Sequence, residues 1–294
     1  MNDCPKCGVK REQGAIECYA CGIIFAKYSY DVATVIDHKL FEKMQQQSNA
    51  LSDRRQWFDW FLPILAFGVA PLFKMIFRKL SWALSMWTHE FGHAFAGWWG
   101  GVAATPFLGW TNFAPHRSWY VTLCFTFLLG ALGYKSWQKK CHFLTLTFFC
   151  MFFVQLYFRF ALSEYKLDFM FSYLGIGGEF WISTWLVMAY HHTFPKETHW
   201  EYLRYVALFV GALVFLNIFT LWWNISHGQA DIPWGSLWGG DDHGDMNSLM
   251  LEHGWGPKRM ITSYLRLGYI CMMLMGLHYL LWGVKLFLKK DKPS

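Results

Sequence analysis

Charge is what this chain has least of: Asp, Glu, Lys and Arg supply 16% of its 294 residues, against 54% hydrophobic. An ordinary soluble domain carries about 25% charged and about 45–50% apolar residues, so the shortage excludes a disordered chain and argues against a soluble enzyme. A basic cluster is missing too. The net charge of +6 comes from Lys and Arg dispersed at segment ends, which membrane anchoring explains more simply than nucleic acid; no nucleic-acid partner is expected. Residues 1–30 lack the apolar run of a cleavable export signal, which predicts that this head stays in the cytoplasm. Internal repeats are absent, and low complexity is confined to Gln45–Gln47.

Aromatic residues are abundant instead, at 20% with 18 Trp and 28 Phe, a supply that suits lipid contact and interfacial belts. Polarity is concentrated before Trp57. Apolar windows long enough for a hydrocarbon core of about 30 Å fall near 57–77, 80–99, 118–137, 142–162, 168–190, 203–224 and 263–288. The expected fold is an all-α polytopic membrane protein of six to seven transmembrane helices with a small N-terminal zinc ribbon. Its divisions are the ribbon at 1–30, an amphipathic linker at 31–56, the transmembrane domain at 57–288 and a basic tail at 289–294. Arg54 and Arg55 place the head in the cytoplasm, and Lys289, Lys290 and Lys292 favour the same side for the tail, which requires an even number of crossings.

Eight cysteines divide into two groups. Cys4, Cys7, Cys18 and Cys21 follow C-x2-C-x10-C-x2-C, with Gly8 and Gly22 just beyond each pair. This spacing presents four thiolates from two tight turns, the tetrahedral shell of a structural zinc. In a reducing compartment such thiols bind metal rather than pair as disulfides. The wording CPKCG…ECYACGIIFAKY resembles the short zinc ribbons at the N-termini of some bacterial membrane proteins. A closed Cys4 shell leaves no position for substrate, so no chemistry is assigned to it. Cys124, Cys141, Cys150 and Cys271 lack ligand spacing and are expected to pack as small hydrophobes.

Within the second window lies His89-Glu90-Phe91-Gly92-His93. Residues four apart share a helix face, so His89 and His93 can present ring nitrogens to one zinc ion, while Glu90 is rotated by about 100° toward the water on that ion. Random placement of 12 His and 9 Glu predicts about 0.015 occurrences of HExxH in a chain of this length. Two imidazoles and a carboxylate in mid-membrane also cost several kcal/mol unless paired or metal-bound, which makes them functional candidates by default.

Small residues follow, namely Gly92, Ala94, Ala96, Gly97, Gly100 and Gly101, as in close helix seams in lipid. HEFGHAFAGWWGG, residues 89–101, resembles the metal-binding helix of the site-2 protease family of intramembrane zinc metalloproteases. The resemblance implies one catalytic zinc besides the structural one, His89 and His93 as its ligands, Glu90 as general base, and a membrane-protein or peptide substrate. It also implies a third ligand, an aspartate on a later segment, commonly in a Leu-Asp-Gly context. That tripeptide does not occur here. Asp245 is the first candidate, because GDMNSLMLEHGW can start a helix carrying its carboxylate; Asp242 and His243 are the alternatives.

Two other readings stand beside this one. In a membrane zincin similar to the CAAX-processing proteases, Glu179 would complete the shell; in a non-enzymatic scaffold or transporter, the His89/Glu90/His93 cluster would bind or sense metal. Gly175, Gly177 and Gly178 are candidates to line a gap between helices where substrate unwinds. His191 and His192 are expected to face headgroups, and Asn217, Asn224, His227 and Asp231 lead from the sixth window toward the acidic cluster. The expected location is a bacterial inner membrane.

Overall fold

The computed structural model describes residues 3, 4, 6–10, 14–25, 58–235 and 244–290. The linker expected at 31–56, the alternatives Asp242 and His243, and the chain end beyond Lys290 lie outside the described residues. The chain divides into two compact units, Met1–Phe61 and Leu62–Ser294.

The first unit is built from two matching knuckles. In each, a glycine N–H returns to the carbonyl of the first cysteine, Gly8 to Cys4 at 2.9 Å and Gly22 to Cys18 at 2.8 Å. Both glycines have positive φ, 71° and 68°, a region where a Cβ would be strained. Isolated antiparallel bridges join Asp3 to Lys10 and Glu17 to Ile24. Buried Cys4, Cys18 and Phe25 form a core too small to hold a fold alone.

The second unit is mostly helical. Its helices are α1 (Phe58–Ile76), α2 (Arg78–Gly100), α3 (Trp119–Gln138), α4 (His142–Leu156), α5 (Glu164–Ala189), α6 (Trp200–Ser226), the short α7 (Asp245–Leu251) and α8 (Pro257–Lys290). Each of the seven apolar windows thus coincides with a helix. Among the described residues, four helices are long and apolar enough to cross a membrane: α1, the α4 segment with its π-helical continuation to Ala161, α6, and α8 as far as Val284. Apolar side chains point outward along them, including Ile64, Leu72, Phe149, Phe153, Met273 and Leu280. An apolar exterior of that extent marks a surface that water does not cover. Cys124 and Cys150 share this exposed surface, whereas Cys141 and Cys271 are buried; the expectation of packed thiols fits only the latter two.

Helix ends follow local chemistry. The side chains of Ser118 and Ser163 accept from Tyr120 N–H and Lys166 N–H at the starts of α3 and α5. Pro257 opens α8, where its missing N–H is no loss. Arg117 donates to the carbonyls of Arg159 (3.2 Å) and Leu162 (2.9 Å), which the end of the α4 segment leaves without helical partners.

One element departs from the expected all-α body. After α2 the chain forms an antiparallel hairpin, β1 (Ala104–Phe107) and β2 (Trp110–Phe113), in the register Ala104 with Phe113 and Phe107 with Trp110. Gly109, at φ 98°, makes the two-residue turn. Strands of four residues, one containing Pro106, show no alternation that an apolar sequence would reveal.

α5 lies at the centre of the unit. Ile176, Phe180 and Val187 pack with Phe215 and Trp222 of α6 and Tyr264 of α8, while Leu167 joins Ala96 and Trp99 of α2 in a second cluster. Between α2 and α5 the approach is backbone to backbone. A Cβ on Gly92 would collide with the Leu174 carbonyl, and one on Gly178 with Gly92 Cα. Of the glycines expected to line an open gap, Gly178 instead closes directly against α2, and a Cβ on Gly177 would meet only side chains of its own helix.

Candidate metal centre

The α2–α5 seam sets the site. His89 and His93, one turn apart on α2, have ring centroids 4.8 Å apart and planes at 79°. The short helix α7 starts at Asp245, and its buried Met246 and Leu249 anchor it in the main core. Asp245 Oδ2 lies 3.0 Å from His89 Nε2 and 3.2 Å from His93 Nε2. Ligands about 2.0–2.1 Å from a tetrahedral zinc stand about 3.3 Å from one another, close to these separations. The three residues form a group able to hold a metal ion.

Hydrogen bonding on the far side of each ring fixes which nitrogen is free. His93 Nδ1 is 2.7 Å from the Phe171 carbonyl oxygen, which can only accept, so Nδ1 carries the proton and Nε2 keeps a lone pair. His89 Nδ1 donates to Glu179 Oε1 at 3.0 Å. Both Nε2 lone pairs are thereby available to a cation. Asp245 Oδ2 is buried and makes no hydrogen bond, which is costly for an anionic oxygen unless a cation meets it. A Cβ at Gly175 would stand 2.6 Å from both Asp245 Oδ2 and His93 Nε2, so only glycine on α5 leaves room where these atoms converge.

Glu90 is buried on the same helix turn. Thr111 Oγ1 of β2 lies 2.7 Å from Glu90 Oε2 and donates to it, and it is also 3.1 Å from the Glu90 carbonyl. The hairpin thus holds the carboxylate beside the histidines. Glu90, His93, Thr111 and Asp245 line one cavity of about 620 Å³. A larger cavity, about 1190 Å³, reaches His89 and Glu179 from the α1 side past Trp82, Met86 and Ile176, with Lys74, Arg78 and Lys79 also in its wall.

The cysteine cluster has its own geometry. Cys4 and Cys21 Sγ are 3.7 Å apart, as are Cys7 and Cys18, and all four sulfurs lie within 4.8 Å of one another. A tetrahedral shell with Zn–S bonds of about 2.3 Å separates its sulfurs by about 3.8 Å. Burial works against ionisation of Cys4, but backbone N–H groups of Cys7 and Lys6 and the neighbouring thiols bring it down to about 6. For Cys7 the N–H of Val9 favours the thiolate, yet burial and the other three thiols prevail and push it up to about 12.

Of the sequence-derived candidates, His89, Glu90, His93 and Asp245 come together in one cavity, and Cys4, Cys7, Cys18 and Cys21 in another unit. Glu179 sits against Nδ1 of His89, on the opposite side of the ring from Asp245, so it buttresses His89 rather than joining the His89/His93/Asp245 group. Asn217 donates to Ser81 (2.8 Å) and Ser85 (3.2 Å), tying α6 to α2, and His227 lies exposed against Trp223. His191 and His192 do not face outward as expected: His192 stacks on Phe143 and meets His278 Nε2 at 2.8 Å, and His191 lies on Trp282. Thr111 and the Phe171 carbonyl carried no sequence signal, since their roles arise from a hairpin return and a helix crossing. The geometry defines a two-histidine, one-carboxylate centre within a helical body. No family model, curated protein or solved structure matches this chain.

Proposed function

We propose that this protein is an intramembrane zinc metalloprotease that hydrolyses peptide bonds of membrane-protein substrates. One observation carries the reading: two histidine Nε2 lone pairs and an otherwise unbonded carboxylate oxygen of Asp245 converge beside Glu90, in a body whose exterior is apolar. His89, His93 and Asp245 hold the zinc, leaving a coordination position open; the Cys4 cluster holds a second, structural zinc. When bound at the first site, zinc lowers the pKa of a water toward about 7 and polarises a carbonyl.

Glu90 takes the proton from the attacking water and hands it to the departing amine. Thr111 keeps the Glu90 carboxylate aimed by donating to one oxygen, and Glu179 steadies His89. The larger cavity, with its apolar wall, admits the substrate segment and excludes bulk water. Counting α2, α3 and α5, each at least 20 residues and so at least about 30 Å long, the body has seven crossing helices; with the ribbon on the cytoplasmic face of a bacterial inner membrane, this odd number puts the basic tail on the opposite side, against the expectation from Lys289, Lys290 and Lys292.

The test is Glu90→Gln. Profiling of protein N-termini in membranes carrying the wild type or the variant should reveal new termini in or beside transmembrane segments only with the wild type. Cleavage should fall by about 10²–10⁴-fold while zinc content is unchanged. Equal cleavage by the variant contradicts the mechanism, and zinc binding without any Glu90-dependent product supports a metal-binding scaffold instead.

A further inference from the structure

At the other end of α7 stands a second group of ligating side chains that the hydrolytic centre does not use. Asp168, near the start of α5, meets Glu252 and His253, the two residues that follow α7. One ligating atom from each lies within 4.8 Å of the others. His253 is the informative member. Its side chain is 2% exposed, wedged against the rings of Tyr165 at 4.9 Å and Phe169 at 5.4 Å. Neither of its ring nitrogens makes a hydrogen bond, although Nε2 lies 3.4 Å from Asp168 Oδ2.

A buried imidazole with neither nitrogen hydrogen-bonded, and only a long contact from one of them to a carboxylate, is costly to leave so. The surrounding charges sharpen the point, because among the described residues neither carboxylate pairs with a lysine or arginine. Two carboxylates facing one another without a cation repel, and each unit of repulsion is relieved by a divalent ion. One imidazole nitrogen with two carboxylate oxygens is a mixed donor set that suits manganese or zinc better than calcium or magnesium, which favour oxygen alone.

We infer that Asp168, Glu252 and His253 form a third metal site, taking an exchangeable divalent transition ion. The Asp168 side chain is 55% exposed, so the ion keeps waters on its outer side and exchanges with solvent. Asp168 also lines the 620 Å³ cavity that contains His93 and Asp245. α7 spans seven residues, about 10 Å, with Asp245 at its first residue and Glu252 just past its last. An ion held here clamps α7 to α5 at the end opposite the carboxylate that α7 delivers. The site itself does not depend on the hydrolytic reading; only the significance of the clamp does.

Manganese titration of the purified full chain, loaded with zinc and then washed with a weak chelator to strip exchangeable ions, followed by the loss of the free-ion electron paramagnetic resonance signal, tests this. The expected result is one saturable Mn²⁺ per chain, weakened by at least about tenfold in Asp168→Asn and in His253→Gln, and retained in His93→Ala. Asp168→Asn alters a mostly exposed side chain and decides the matter even if the buried histidine variant fails to fold. Absence of saturable binding, affinity in Asp168→Asn within twofold of wild type, or loss of binding in His93→Ala overturns the inference; the first of these leaves a plain His253–Asp168 ion pair. None of these outcomes bears on Glu90-dependent cleavage, so the two proposals fail separately.

Discussion

A histidine that ligates a metal must hold its proton on the nitrogen away from the ion, and in His93 a backbone carbonyl makes that choice. In His89 a carboxylate does so, and the difference has a measurable consequence. Glu179 orients the ring it touches and, when ionised, raises its basicity. Glu179→Gln keeps an amide oxygen to accept from Nδ1 but loses the charge, so zinc affinity at the His89/His93/Asp245 centre should fall by about 10–100-fold. Competition with a chromophoric chelator reads this directly; unchanged affinity would show that Glu179 is only packing. Sequence alone presented Glu179 as a rival ligand, because a lone acid within an apolar window carries no indication of which ring nitrogen it will meet.

At the scale of elements, the decisive contact is the glycine crossing of α2 on α5. A side chain at Gly178 must displace the backbone of α2 at Gly92, and both the histidines and the room at Gly175 depend on that spacing. Gly178→Leu should lower thermal stability, by about 1–3 kcal/mol or more as for other overpacked seams, and release the zinc held by His89 and His93. Gly130→Ala on α3, where nothing stands within 4 Å, should leave both intact. Equal behaviour of the two variants would contradict the role given to the seam. The ribbon is an element with a different dependence, because its thiols must lose protons to bind metal. Cys4, held down to about 6, ionises well before Cys7, which is pushed up to about 12. The ionised Cys4 favours the folded knuckle above its ordinary value of 9.0, and that contribution disappears as pH falls through 6. Metal retention by the ribbon should therefore weaken progressively as pH falls from 9 through 6, as followed by zinc release to an indicator dye; constant retention from pH 9 to pH 5 would contradict it.

How much of this was legible depends on whether the signal is local. The helical windows, the i, i+4 histidines and the C-x2-C pairs are short-range patterns, and each appears in the structure where the sequence put it. Asp245 could be selected from its crowd only through the helix-starting stretch that follows it. Thr111, the Phe171 carbonyl and the Asp168–Glu252–His253 group are joined by tertiary return alone, across 21, 78 and 84 residues respectively for Glu90–Thr111, His93–Phe171 and Asp168–Glu252. The β1–β2 hairpin was hidden because its strands are only four residues long and one contains Pro106, which leaves no alternation to read.

For the whole molecule, the cysteine-bearing head and the greasy helical body are two units, each with side chains grouped so that they could hold a metal ion. The body folds around buried aromatic residues and outward-facing apolar ones, and its polar interior is concentrated where α2, α5 and α7 meet. The measurement that tests this most directly is zinc stoichiometry on the purified full chain, after washing with a weak chelator to strip exchangeable ions. The account predicts two zinc ions per chain, one lost in His93→Ala and the other in Cys18→Ala. A single ion, held by the cysteines and indifferent to His93, would contradict it.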